Sequence, residues 1–224
     1  MKLLDTCELL VTLARKAGAA EAEAYAERTR EASVRVRDGE VEELHQASSK
    51  GIGLRVICGQ RLGFTYGTDL SKDGLKELAG KAVALAKGAA KDPANGLPRG
   101  AQLGAVSAGE YDPAIEEIAP EWKLHAAREA EKAARAEDPR VRKFDSTGAG
   151  DFLSQTAIAS SHGARGESRA SYAYVYCSPV AEADGQLQTA SWSDTRSVSS
   201  NSSSPASRIR RSPSILPFGV RNAA

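Results

Sequence analysis

The sequence predicts an α+β fold: an antiparallel sheet with helices packed on one face, followed by a second strand-rich segment and a disordered tail. Three observations carry this prediction. Runs of alternating apolar and polar residues are joined by tight Asp-Gly and Gly-Gln turns, amphipathic helical stretches stand between groups of such runs, and periodicity is lost after Trp192. The strands come in hairpins rather than alternating with helices, which argues against a parallel doubly wound sheet.

Cys7, Leu10, Val11 and Ala14 fall on one helical face, and Gly18 stands where a left-handed residue would close that helix. From Glu21 the period changes to two. Glu21, Glu23, Tyr25 and Glu27 alternate with Ala22, Ala24 and Ala26, and further on Val34 and Val36 alternate with Arg35 and Arg37. Asp38-Gly39 accepts the positive φ angles of a type I′ turn, so Val41 to Ala47 is the return strand. Gly51 and Gly53 lead into the strand Leu54 to Cys58, and after Gly59-Gln60-Arg61 the segment Leu62 to Tyr66 completes a second hairpin. Ser71 is the N-cap of a helix whose apolar stripe is Leu75, Leu78, Ala79, Ala82, Leu85 and Ala86.

Residues 92–113 hold Pro93, Pro98 and Pro113 with Gly96, Gly100, Gly104 and Gly109, the composition of an exposed connection. A helical segment from Pro113 to Glu137 follows, ended by Asp138-Pro139. Strands are expected over Thr156–Ser160 and Ser168–Cys177, with another hairpin at Asp184-Gly185. The expected organisation is therefore an α+β layer over 1–91, a linker over 92–113, a helix plus strand-rich segment over 114–195 and a tail over 196–224. Nine Ser lie between Ser197 and Ser214, where Val198 and Ile209 are the sole aliphatic side chains larger than Ala, so the tail cannot offset its ordering entropy by burial.

With 224 residues, 41% of them apolar and 26% charged, the chain can bury a core. Its net charge of +1 hides an asymmetry: Arg196, Arg208, Arg210, Arg211 and Arg221 follow the last acidic residue, leaving −4 for residues 1–194. A body of that charge is poorly suited to a phosphate backbone, so no direct nucleic-acid partner is expected. Without a long apolar run or a secretory signal pattern, no membrane partner is expected either, and a cytoplasmic location is the default. Cys7, Cys58 and Cys177 are odd in number and scattered, unlike a disulfide framework or a Cys-based zinc site.

Motifs that carry chemistry are sparse. The chain has no HExxH, CxxC, GxSxG or P-loop pattern. Glu117, Glu121 and His125, with Glu129, would form an i, i+4 column on a helix and are weak candidates for a divalent ion, although Lys123, Arg128 and Lys132 beside them suit an ordinary solvated face. His45 and His162 read as structural, in a strand and a turn. Gly51-Ile52-Gly53 lacks the third glycine and the helix of a dinucleotide fingerprint, and Thr147-Gly148-Ala149-Gly150-Asp151 reads as a turn rather than a phosphate cradle. Tyr172, Tyr174 and Tyr176 alternate with Ala173 and Val175, which puts three rings on one strand face. Such a row serves a peptide or partner surface, or else covers a sheet.

Read in order, Val34-Arg35-Val36-Arg37-Asp38-Gly39-Glu40-Val41-Glu42, Lys50-Gly51-Ile52-Gly53-Leu54-Arg55-Val56 and Gly59-Gln60-Arg61-Leu62-Gly63-Phe64 resemble the N-terminal region of the TldD/PmbA family, long called modulators of DNA gyrase and understood as a peptidase system. Asp92-Pro93-Ala94-Asn95-Gly96-Leu97-Pro98 and Ser161-His162-Gly163-Ala164-Arg165-Gly166 extend the resemblance over roughly residues 5–195. Asp92–Pro98 and the helix ending Glu137-Asp138-Pro139-Arg140 are similar to the PmbA (TldE) branch. The resemblance implies a cytosolic two-subunit assembly that cleaves flexible peptides, in which the TldD subunit carries zinc on an HExxxH motif and the PmbA-like subunit does not.

No family zinc ligand or catalytic residue maps onto this chain, so no cofactor is expected in it and zinc is expected in a TldD-like partner. The expected function is that of a truncated PmbA-like subunit, non-catalytic by itself; the rivals are a stand-alone metallopeptidase and a peptide-binding module without turnover. The compositional switch after Trp192-Ser193-Asp194-Thr195-Arg196 reads as a shifted or prematurely ended reading frame, with a regulatory tail as the alternative. The genomic DNA just past the Trp192 codon decides between them.

Overall fold

The computed structural model describes residues 1–99 and 111–196. The elements run α1 (Leu3–Lys16), β1 (Glu21–Arg37), β2 (Glu40–Ile57), β3 (Leu62–Gly67), α2 (Lys72–Gly88), α3 (Pro120–Glu137), β4 (Val141–Ser160), β5 (Arg165–Ala183), β6 (Gln186–Thr189) and β7 (Trp192–Arg196). The strands pair in the order β3-β2-β1-β4-β5-β6, with β7 also on β5. The α+β class with an antiparallel sheet is as expected. The tail over 197–224 and the middle of the connection, 100–110, lie outside the described residues.

Three hairpin turns take the conformation that their sequences favour. Asp38 and Gly39 have φ of 52° and 80°, Asp184 and Gly185 of 51° and 75°, and Gly59 and Gln60 of 58° and 66°. Two consecutive positive φ angles are what a type I′ turn requires, and its twist matches that of the strands it joins.

The chain divides into two compact units, each assembled from three stretches. The first comprises Met1–Thr29, Ser48–Ala108 and Ser154–Arg169. Its core joins Cys7, Leu10 and Ala14 of α1, Ala22, Ala24 and Ala26 of β1, Ile52, Leu54 and Val56 of β2, and Leu75, Ala79, Ala82 and Ala86 of α2. Ser71 caps α2 by accepting a 3.1 Å hydrogen bond from the Gly74 N–H. Methyl-sized side chains on both layers let backbones approach closely, and the limit is reached at Gly63. A Cβ there would stand 2.1 Å from the Ala82 carbonyl oxygen and 2.7 Å from the Ala86 nitrogen.

The start of the proline-rich stretch is pinned to this unit. The Asp92 N–H and the Asn95 side-chain amide donate to the Gln60 carbonyl at 2.9 and 3.1 Å, and Leu97 is buried. Glu21 accepts from the Leu97 N–H at 2.8 Å and from Arg99 at 3.3 Å, with His162 Nε2 3.2 Å away. The Leu97 N–H foremost, and then His162 and Arg99, hold the Glu21 carboxyl below its ordinary value. A depressed carboxylate contributes stability that is present above its unfolded value and lost as pH falls through the folded one. In an acid titration the Leu97 amide resonance should therefore shift with a midpoint below that of an ordinary glutamate. Glu21→Gln should speed tryptic cleavage after Arg99 at neutral pH; an unchanged rate would mean that the carboxylate does not hold this segment.

The second unit comprises Arg30–Ala47, Gly109–Leu153 and Ala170–Ala224. Ala127, Ala130 and Ala134 of α3 pack on Val34, Val36, Ala149, Val175 and Cys177. Two sequence expectations are corrected here. The helix begins at Pro120 rather than Pro113: Pro113–Ile115 forms one 3₁₀ turn, capped by Asp112 accepting from the Ala114 N–H at 2.9 Å. Both prolines occupy first-turn positions, where a missing N–H costs nothing, so the sequence alone does not tell which begins the long helix. Thr147–Asp151 is not a turn but the middle of β4, with Thr147, Ala149 and Asp151 buried. The strands are also longer than expected, and Trp192–Arg196 continues as β7, placing Trp192 opposite Cys177 of β5.

Helix α3 clasps the β1–β2 turn. Glu131, although an acid, is 3% exposed, and it accepts from the Asp38 and Gly39 N–H groups at 3.2 and 2.7 Å. Arg128 donates to the Gly39 carbonyl at 2.7 Å, and Arg135 pairs with the Asp38 carboxylate. Deeper in, the Lys123 ammonium lies 2.5 Å from one oxygen of fully buried Asp151, and Arg30 reaches the other at 3.2 Å. A second contact from Lys123 Nζ, to the Ile118 carbonyl at 3.1 Å, completes this buried set.

Candidate functional site

The residues that stand out for function in the second unit are Tyr172, Tyr174 and Tyr176, all half-buried on β5. Alternation sends Ser171, Ala173, Val175 and Cys177 into the core and leaves the rings on the opposite face. Their neighbours on β4 are glycines. A Cβ on Gly148 would meet the Tyr176 ring at 2.8 Å, and one on Gly150 would meet the Tyr174 hydroxyl at 2.5 Å. The rings therefore lie flat across the strand, one face on glycine backbone, an arrangement that compensates for the packing a glycine lacks.

Phe152 extends the row, stacking on Tyr172 with centroids 5.2 Å apart, and the steps to Tyr174 and then Tyr176 are 6.2 and 6.4 Å. Those steps are close to the two-residue rise of an extended chain, about 6.6 Å, so the pavement matches the side-chain repeat of a peptide laid along it. Burial raises the Tyr174 phenol above its ordinary value, and Glu31, which accepts from it at 3.5 Å, adds to the rise. Burial also raises Tyr176, with Arg35 opposing and Glu43 and Glu42 reinforcing the shift. Both phenols are thus neutral at physiological pH, and the Tyr174 O–H is already directed at Glu31.

The candidate metal column is not assembled. Glu117 lies in the turn before α3, and Glu121 and His125 point from exposed positions on its first two turns. Among the described residues no three His, Cys, Asp or Glu side chains form a set that could hold a metal ion. The described residues thus offer no donor set for a zinc ion, which the family resemblance implies for a TldD-like partner. Nor do the two buried thiols offer a nucleophile: burial pushes Cys7 up to about 12 and raises Cys177. His162 sits by Glu21 in its turn, and exposed His45 lies on β2.

Sequence reasoning singled out the three tyrosines but not the neighbours the structure gives them, Phe152, Gly148, Gly150 and Glu31. The signal was the Gly-x-Gly spacing itself, which matches the period of the tyrosines across from it. Among the described residues no helix is long and apolar enough to cross a membrane.

Comparison with known proteins bears on the family. A comparison with curated proteins finds no significant match. Among solved structures, TldE from Thermococcus kodakarensis is similar with a TM-score of 0.74 at 20% identity, over 86% of this chain and 43% of that one. Candidate modulators of DNA gyrase from Bacteroides thetaiotaomicron and Thermotoga maritima give TM-scores of 0.76 and 0.71 at 21% and 20% identity, over 86% of this chain and 44% and 43% of theirs. At that identity the likeness is one of fold, and this chain spans less than half the length of each.

Family models add sequence evidence. One described as PmbA/TldA metallopeptidase domain 1 matches residues 22–86, and one described as the PmbA/TldA metallopeptidase central domain matches residues 113–211. The second match runs past Trp192–Arg196, where the sequence alone puts the departure from the family pattern. With both matches in chain order and together covering more than half of its length, the chain belongs to the PmbA/TldD metallopeptidase family.

Proposed function

We propose that this chain acts as a PmbA (TldE)-like subunit of a cytoplasmic peptidase assembly, beside a TldD-like partner that carries the zinc, and that it has no hydrolytic site of its own. The observation that carries the reading is the consecutive match to the first and central domains of a metallopeptidase family in a chain whose described residues bring no metal donors together. In that assembly its part is to hold flexible peptides and present them. The Phe152, Tyr172, Tyr174 and Tyr176 pavement supports this role, because its ring spacing suits an extended client.

The test is a peptide-cleavage assay with the chain alone, a TldD-like protein alone and the mixture, with association of the two proteins measured on the same samples. The chain alone should give no chelator-sensitive cleavage, and it should bind the zinc-bearing protein. Tyr174→Ala should weaken peptide capture by the mixture without changing the zinc content. Chelator-sensitive turnover by the chain alone, reproduced in an independent preparation, would overturn the non-catalytic role.

A further inference from the structure

Within the first unit the sheet ends at β3, which has β2 on one side and, among the described residues, no strand on the other. Cys58 and Arg61 exchange backbone hydrogen bonds at 2.9 and 3.3 Å across the β2–β3 turn, so alternation turns the N–H and C=O groups of Gly63, Thr65 and Gly67 toward β2. Those of Leu62, Phe64 and Tyr66 point outward. Edge strands are ordinarily blunted by charged side chains, proline or a bulge. β3 has none of these: its Leu-Gly-Phe-Thr-Tyr-Gly sequence holds no charge and no proline, and its register with β2 runs from Ile57 opposite Leu62 to Ile52 opposite Gly67 without a skip.

This edge is apolar in both layers. Gly63 abuts the α2 backbone and the Thr65 hydroxyl donates to the Leu78 carbonyl at 3.3 Å, so Leu62, Phe64 and Tyr66 stand on the other side of the sheet, where they are 40%, 57% and 80% exposed. In the helical layer, Leu85 follows Leu78 by two turns on the same flank of α2 and is 55% exposed. Helix α1 lies toward β4, where its Cys7 thiol meets the Ala157 carbonyl at 3.5 Å, and it leaves this flank uncovered. Exposed apolar side chains gathered in one place mark an interaction site.

The two layers and the charges select the occupant. A single extended peptide added to β3 would satisfy the outward backbone groups but would stop short of Leu85, whereas a partner that covers both layers must itself carry a helix over a strand. A second copy does so, and its sequence matches. In an antiparallel two-fold pairing with Phe64 opposite Tyr66 of the second copy, Thr65 meets its own counterpart on the axis, Gly63 meets Gly67, and Arg61 at one end meets Asp69 at the other. Neither Arg61 nor Asp69 is in an ion pair among the described residues: Arg61 donates to the Lys87 carbonyl at 2.6 Å, Asp69 accepts from the Ser71 N–H at 2.9 Å, and Lys50, across from Asp69 on the β2 side, makes no ion pair with it. Ring is thus set against ring and cation against acid, with no like charges opposed.

We propose that β3 is a two-fold interface between two copies of this chain, joined edge to edge with Phe64 of each opposite Tyr66 of the other. Each such pair exchanges two backbone hydrogen bonds, and the exposed flanks of the two α2 helices close over the joined strands.

The test is sedimentation velocity of the full chain over a concentration series, with oxidative cross-linking to read the register. The chain should form a reversible dimer. Tyr66→Lys and Leu85→Lys, at exposed positions on which the fold does not depend, should each weaken association about tenfold or more, because a two-fold interface carries every substitution twice. Thr65→Cys should give a disulfide-linked dimer with copper phenanthroline, beyond any formed by the wild-type chain, since partners of this kind stand about 4.5 Å apart between Cα atoms, within disulfide reach. A monomer at every concentration, a dimer indifferent to both lysine substitutions, or a Thr65→Cys dimer that does not cross-link would overturn the proposal. So would a chain that stays monomeric while its β3 amide resonances shift with an added extended peptide, which would make the peptide the occupant. No zinc-bearing protein is present in these measurements, so their outcome is independent of the peptidase reading.

Discussion

Replacing Asp151 by alanine is expected to cost about 3–5 kcal/mol of stability, read as a lowered midpoint in urea denaturation. The cost comes less from the lost attraction than from what stays behind. The Lys123 side chain is 3% exposed and that of Asp151 is wholly buried. Without the carboxylate, the ammonium would keep the Ile118 carbonyl and would lack any counter-charge close at hand. Arg30 is in a different position, since its 38% exposed side chain can turn to water. Lys123→Met should therefore be damaging as well, while the double replacement Lys123→Met with Asp151→Leu should recover most of the loss, because a buried pair exchanged for apolar groups of similar volume is close to neutral. A loss below about 1 kcal/mol for Asp151→Ala would mean that water reaches the pair and that the second unit's core is looser than its burial indicates.

Gly63→Val is the second large effect. Overpacking a core costs about 1–3 kcal/mol where side chains can yield. Here the new atoms meet the backbone of α2, the Ala82 carbonyl oxygen at 2.1 Å and the Ala86 nitrogen at 2.7 Å, and a packed helix cannot give way locally as a side chain can. The loss should reach or exceed the top of that range. Gly80→Ala, in the same helix, is the matched control: nothing lies within 4 Å of its Cβ, so the gain in helix propensity, up to about 1 kcal/mol, should appear as a raised midpoint. Should Gly63→Val prove as benign as Gly80→Ala, α2 and β3 would not be in contact in solution.

Local chemistry explains why parts of this fold were legible. The apolar spacing of α1, the Asp38-Gly39 and Asp184-Gly185 turns and the Ser71 cap each depend on residues a few positions apart, and all are where the sequence places them. What escaped depends on distant partners. Gly148 and Gly150 read as a turn because glycine frees the backbone, yet their role is to leave room for two rings some 25 residues further on. Nothing in the sequence marks Glu131 among the charged residues of α3, and its burial becomes visible only once the Asp38 and Gly39 N–H groups are in place. The tyrosines were legible as a row because alternation is local. Their step along the strand follows from the same alternation; the glycine backbone against which the rings lie was not legible.

The three-part composition of each unit has a consequence for biosynthesis. The first unit holds α1, α2 and parts of the first two strands, but it also needs residues 154–169, whose Ala157 carbonyl receives the Cys7 thiol at 3.5 Å and whose Ser161 exchanges hydrogen bonds with Ala22. Those residues emerge from the ribosome well after Gly88, the end of α2. At about 5–20 residues per second, the interval is roughly 4–16 s. Throughout it, the nascent chain carries a finished helical layer beside a strand edge still waiting for its neighbour. Chaperone capture should peak in that window and fall once Arg169 has been translated.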